Sequence, residues 1–250
     1  MMNTRLRELQ PLIYCMTNDV VTNFTANGLL AIGASPVMSK NAHESGQLAA
    51  AANGLLLNTG TLTDAQLEAM IIAGKSANKH GVPIVLDPVA VGATTYRTES
   101  VERLLKEVDM TVVRGNAGEI ASLLGAHSEI KGVEGMSNLD PATLAEQTAY
   151  KLQTIVCVTG ETDAVSDGAT TTVLTQGHAW LTKVVGTGCL LGAVIASYVS
   201  VKKDDATVLT TEAVRDYTIA AERAYETSQY AGIGTFQAHF LDELSKQTYS

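Results

Sequence analysis

The sequence predicts an α/β protein, a mostly parallel β-sheet with helices on both faces. Three observations carry that reading. Short apolar runs alternate with longer helical patterns, as in a sheet whose crossovers are helices. The runs are apolar along their whole length, as strands buried on both faces are. Several end in a polar residue followed by Gly, Pro or Asn, the form of a strand leaving an open sheet at its ligand-binding edge.

The runs, in order, are residues 12–16, 55–58, 84–87, 111–114 and 155–159. Helical stretches fall between them at 64–80, 99–108, 117–124 and 141–152. In 64–80 the residues Leu67, Met70, Ile71 and Gly74 recur at helical spacing, and Thr63 with Gln66 forms a capping box at its start. Beyond Thr159 the pattern changes. Residues 164–166, 169–174 and 179–182 read as short antiparallel strands, with turns at Asp167-Gly168 and Gln176-Gly177. Helical stretches follow at 188–202, 211–228 and 235–246. The polar, Gly-rich segment 132–139 reads as a surface loop. No repeat or linker divides the chain, and a single domain over 1–250 is expected.

Composition narrows the function. With 17 Lys and Arg against 26 Asp and Glu, the formal charge is −9, which disfavours a nucleic-acid groove. The longest apolar candidate, residues 189–201, is shorter than the ~18 residues of a membrane span. The N-terminal ten residues carry no apolar leader, and three cysteines without metal spacing fit free thiols in a reducing cytoplasm. The five histidines are scattered, and none is assigned a ligand role.

Chemistry concentrates at strand ends. Asp87-Pro88, Arg114-Gly115-Asn116 and Thr159-Gly160-Glu161 close three runs that a parallel sheet brings to one edge. Gly186-Thr187-Gly188-Cys189 precedes an apolar helix, where glycines and a helix N-terminus make an anion hole. It is no dinucleotide fingerprint, because Leu191 stands where the third glycine belongs. The stretch 69–76 imitates a Walker loop but has Ala69 in place of glycine and lies inside a helix, so Gly74, Lys75 and Ser76 are helix-face residues. Asn116 and Glu119 fit a capping box, and Glu119 equally fits a site near Mg²⁺, reached through water.

Five motifs in order resemble the hydroxyethylthiazole kinase family, thiamine-salvage enzymes with a ribokinase-like fold. They are TNDVVTNFTANG with GASPVM (17–28 and 33–38), LDPVAVGA (86–93), RGNAGEI (114–120), VTGE (158–161) and KVVGTGC (183–189). Residues 232–236, GIGTF, are a looser version of the family's Gly-Pro-Gly-Ser-Phe. The resemblance implies phosphoryl transfer from ATP to the hydroxyl of 4-methyl-5-(2-hydroxyethyl)thiazole, in a homotrimer with thiazole sites at subunit interfaces. By position it implies that Met38 and Gly186 contact the thiazole, with Asn18, Asn23 and Pro36 nearby. Arg114, Thr159 and Gly188 would serve ATP, and Asp87 and Glu119 the Mg²⁺–phosphate cluster. Cys189 stands where related sugar kinases carry an Asp base, and reads either as a weak base or as part of the anion hole.

Overall fold

A computed structural model describes residues 2–126 and 139–246 of the chain. The loop expected at 132–139 lies outside the described residues except for Leu139, and so does His127.

The strands are β1 (Leu12–Met16), β2 (Ser35–Met38), β3 (Gly54–Asn58), β4 (Ile84–Asp87), β5 (Val112–Asn116), β6 (Ile155–Thr159), β7 (Asp163–Ser166) and β8 (Thr171–Leu174). They form one sheet in the order β2-β1-β3-β4-β5-β6-β7-β8. Pairing is parallel from β2 to β6, and β7 and β8 add an antiparallel edge. The helices are α1 (Met2–Leu9), α2 (Thr22–Ile32), α3 (Ala42–Ala51), α4 (Asp64–His80), α5 (Thr95–Glu107), α6 (Ala117–Ala126), α7 (Pro141–Leu152), α8 (Thr187–Val199), α9 (Ala206–Ser228) and α10 (Ile233–Ser245).

Side chains alternate across each strand, so the sheet has two separate cores. Ile13, Cys15, Leu56, Val85, Val112 and Cys157 face one core with Leu190, Leu191, Val194 and Ile195 of α8. Their chain neighbours Tyr14, Leu55, Leu57, Ile84, Leu86 and Val156 face the other, with residues of α4 to α7. Burial on both faces explains why these runs are apolar throughout. The largely apolar helix α8 crosses the first face, buried from Leu190 to Val199.

The strands at 12–16, 84–87 and 155–159 and the helices at 64–80 and 141–152 have the bounds read from the sequence. Both halves of the capping box at Thr63 and Gln66 are present. Gly74, Lys75 and Ser76 lie within α4, where Lys75 pairs with Glu107 and Ser76 donates to Gly46 O.

One expectation fails. Residues 179–182 are not a strand but part of a 3₁₀ helix, Ala179–Lys183. His178 Nδ1 caps it by accepting from Trp180 N at 3.2 Å, and Trp180 packs edge-on against Tyr225 and Phe236. Those tertiary contacts override the local β-propensity of the segment. Strand β2 leaves no apolar run in the sequence because it is short, contains Pro36 and lies at the sheet edge, where a missing N–H is tolerated. Helices α1 to α3 also leave little sequence signal, because their hydrophobic stripes are interrupted by polar and small residues.

Candidate active site

The parallel register delivers four polar side chains to one edge. Asn58 and Asp87 are opposed at the ends of β3 and β4, and Asn116 and Thr159 at the ends of β5 and β6. Arg114 lies two residues inside β5, with its side chain mostly buried. From the other side comes the start of α8. Its N-cap, Gly186, has φ 93, and a Cβ there would fall 2.7 Å from Val21 Cγ1. Only glycine holds that turn without strain.

A hydrogen-bonded chain runs across the cluster. Asn18 Nδ2 donates to Asn58 Oδ1 at 3.0 Å and to Cys189 Sγ at 3.5 Å. Asn58 Nδ2 donates to Asp87 Oδ2 at 2.7 Å. Arg114 Nη1 stands 3.7 Å from Asp87 Oδ1, and its Nη2 donates to Thr159 Oγ1 at 2.6 Å. The Thr159 hydroxyl donates onward to Gly115 O. A Cβ on Gly188 would lie 3.1 Å from Arg114 Nη1, so this glycine lets the helix start approach the guanidinium.

Burial pushes the Asp87 carboxyl up to about 6, with Glu119 adding to the rise and Arg114 and Asn58 opposing it. Burial also raises the Cys189 thiol, and the Asp87 carboxylate raises it further. Thiolate is therefore disfavoured there, with Asn58, Asn18 and Arg114 opposing the rise. Asp87 Oδ1 is buried without a hydrogen-bond partner, an acceptor suited to a cation. Glu119 differs: its Oε1 accepts from Ala90 N at 2.8 Å and its Oε2 from Asn116 N at 2.9 Å. Asn116 Oδ1 accepts from Glu119 N in return, completing the expected capping box.

Helix α8 begins its ladder with Leu190 N donating to Gly186 O. The amides of Thr187, Gly188 and Cys189 therefore make no bond within the helix, which leaves them to an anion. A cavity of about 860 Å³ opens here, bounded by Arg114, Thr159 and Gly188 at one end and by His178 and Thr218 beyond. That is ample for a nucleotide-sized ligand. His178, assigned nothing from sequence, stacks on Tyr225 at the cavity wall.

Asn18, Asp87, Arg114, Thr159, Gly188 and Cys189 thus meet in one place. The remaining expected residues are not among these contacts. Met38 ends the edge strand β2, half-buried against the α8 core, and Pro36 lies two residues earlier opposite Ile13. Asn23 is exposed on α2, and its side-chain oxygen accepts from Asn27. Sequence reasoning missed Asn58 as a site residue; it is a polar strand end, but the glycine that follows comes one residue later, at Gly60. It also missed Arg97, whose Nη1 donates to Thr59 O at 3.1 Å and Val89 O at 2.9 Å.

Residues 4–249 match the model of the hydroxyethylthiazole kinase family. The chain is 54% identical over 243 residues to hydroxyethylthiazole kinases of Shouchella clausii and Halalkalibacterium halodurans. The match covers 97% of this chain and 94% and 93% of theirs. Among solved structures, a hydroxyethylthiazole kinase protein of Pyrococcus horikoshii superposes with a TM-score of 0.88 at 39% identity, covering 98% of this chain and 91% of that one. A ribokinase-like superfamily protein of Enterococcus faecalis shares the fold at 12% identity, with a TM-score of 0.68 over 96% of this chain and 88% of its own. With the fold and the motifs in agreement, the chain belongs to the hydroxyethylthiazole kinase family.

Proposed function

We propose that this protein transfers the γ-phosphoryl group of ATP to the hydroxyl of 4-methyl-5-(2-hydroxyethyl)thiazole, in thiamine salvage. Family membership supports the reaction, and the observation that carries the division of labour is the convergence on Arg114. This residue borders the nucleotide-sized cavity on one side and touches the Asn18–Asn58–Asp87 chain on the other. ATP occupies the cavity, with its phosphates against Arg114, Thr159 and Gly188. The acceptor approaches from the side of Asn18, Met38 and Gly186, with Pro36 and Asn23 further out.

Phosphoryl transfer needs positioning and charge neutralisation more than covalent help. Arg114 supplies a fixed cation, and the free amides at the start of α8 face the transferring group. Asn18 holds the Cys189 sulfur and, through Asn58, the Asp87 carboxyl in one arrangement. Cys189, protonated, lines the anion hole beside the acceptor oxygen rather than acting as a strong base. Asp87, with Glu119 acting through water, would hold Mg²⁺, which would supply further charge to the phosphates.

The assembly is read as a homotrimer with acceptor sites between subunits. Support comes from apolar side chains left in solvent beside the acceptor end: Val20 is 68% exposed and Val185 70%, next to Val21 and Gly186, which face each other. No helix among the described residues is long and apolar enough to cross a membrane, and a cytoplasmic location is proposed. The test is incubation with ATP, Mg²⁺ and a panel of alcohols. The thiazole should give the highest kcat/KM; phosphorylation confined to a pyrimidine alcohol or a sugar overturns the reading.

A further inference from the structure

Arg97 sits where local electrostatics argues against it. It is the third residue of α5, and a cation in the first turn opposes the helix macrodipole. No acidic residue shares that turn. The side chain instead reaches back to the sheet edge, where one nitrogen, Nη1, donates to two carbonyls: Thr59 O beyond β3 and Val89 O beyond β4.

These carbonyls lie just past Asn58 and Asp87, the last register pair of the two strands. Thr59 N donates to Asp87 O at 3.1 Å, the final backbone bond before the chains part. Arg97 adds a rung beyond it. The peptide that follows is held at both ends: Val89 O by Arg97 and Ala90 N by Glu119. Ala90 has φ 58, a left-handed conformation that a residue with a Cβ adopts at a cost. The clamp maintains it.

We propose that Arg97 is a positioning residue for phosphoryl transfer, locking the loops after β3 and β4 so that Asn58 and Asp87 meet the phosphates in a fixed geometry. Its side chain bonds Thr59 O and Val89 O rather than Asp87, and it is not among the residues that line the cavity. The inference rests on the kinase reading above and deepens it. Small displacements of a positioned group cost on the order of 10²-fold in rate.

The experiment compares Arg97→Met, Arg97→Lys and, as a control on the same helix, Arg103→Met. Arg103 binds Glu68 and Glu107 on the surface, away from the site. Arg97→Met keeps the stem and loses both donors. Its kcat should fall by roughly 10- to 100-fold with the KM for the thiazole within about threefold. Arg97→Lys should recover most of the lost kcat, because a single ammonium can donate to two carbonyls as Nη1 does. Arg103→Met should leave kcat unchanged. Circular dichroism and thermal melts accompany each variant. If folded Arg97→Met keeps the wild-type kcat, or Arg97→Lys recovers nothing, the proposal is overturned. An Arg97→Met protein that does not fold also overturns it, since the residue would then support the fold rather than the site. A wild-type protein inactive on the thiazole refutes the kinase reading instead, which separates the two failures.

Discussion

Replacing Arg114 by Met should damage catalysis severely and stability mildly, with the stability loss growing as pH rises. The catalytic part follows from position: Arg114 borders the cavity and bonds Thr159, so its loss removes a fixed charge from the phosphates. Such a contact is worth on the order of 10²–10³ in kcat. The stability part follows from Asp87. Its carboxyl titrates near 6 in the fold against an ordinary 3.8, so the native state holds the proton more tightly than the unfolded chain. Stability is then lost as pH rises from about 4 to about 6, by about 3 kcal/mol in all, and is level above.

Without Arg114 the carboxyl keeps its proton to still higher pH, and the decline continues past 6 at about 1.4 kcal/mol per pH unit. The variant should therefore trail the wild type by a gap that widens from pH 6 to pH 8, by at most about 1.4 kcal/mol per pH unit. Neutralisation of Asp87 is what keeps the loss this small. Thr159 still donates to Gly115 O, and the Met side chain fills most of the arginine stem's volume. Urea unfolding of the ligand-free proteins at pH 6, 7 and 8 measures the gap, and steady-state kinetics at pH 7 measures the rate. An equal gap at all three pH values refutes the coupling to Asp87. An unchanged kcat in the folded variant removes Arg114 from the phosphate site.

Gly188→Ala should leave stability unchanged or raise it by up to about 1 kcal/mol, since alanine suits a helix better than glycine. The new Cβ, 3.1 Å from Arg114 Nη1, makes the guanidinium give by a few tenths of an ångström, and kcat should fall by roughly tenfold; equal rates would mean that the contact is not used. Cys189→Ala should lower kcat less than about tenfold, because a protonated thiol uses little of the range open to general-base catalysis. Cys189→Asp should retain activity or exceed the wild type, and loss of all turnover in both variants would restore an essential thiol. Sedimentation of the wild-type protein should give a trimer, and a fully active monomer would remove the shared acceptor site.

The sheet was legible because its strands are buried on both faces and read as unbroken apolar runs. Where burial is partial the signal fades: β2, with Pro36 and four half-buried residues at the edge, left no run to find. The 3₁₀ helix at 179–183 was hidden because its shape comes from Trp180 packing on Tyr225 and Phe236, far away in the chain. At the site, Asp87, Arg114 and Thr159 announced themselves by polar strand endings before Gly, Pro or Asn. Asn58 lacks that mark, because Thr59 follows it and the glycine comes one residue later, although its carboxamide joins Asn18 to Asp87. Arg97 had no local signal at all. Its role depends on helix α5 folding back over two loops, a tertiary fact that residue spacing does not encode.

The central claim is that one phosphoryl group passes from ATP to the thiazole alcohol at the edge where β3 to β6 meet the start of α8. Mass spectrometry and phosphorus NMR of a reaction with ATP, Mg²⁺ and 4-methyl-5-(2-hydroxyethyl)thiazole test it most directly. The account predicts one thiazole phosphate, esterified at the hydroxyethyl oxygen, for each ADP formed, with both products falling together in Arg114→Met. ADP accumulating without thiazole phosphate, or thiazole phosphate formed at an undiminished rate by Arg114→Met, would contradict it.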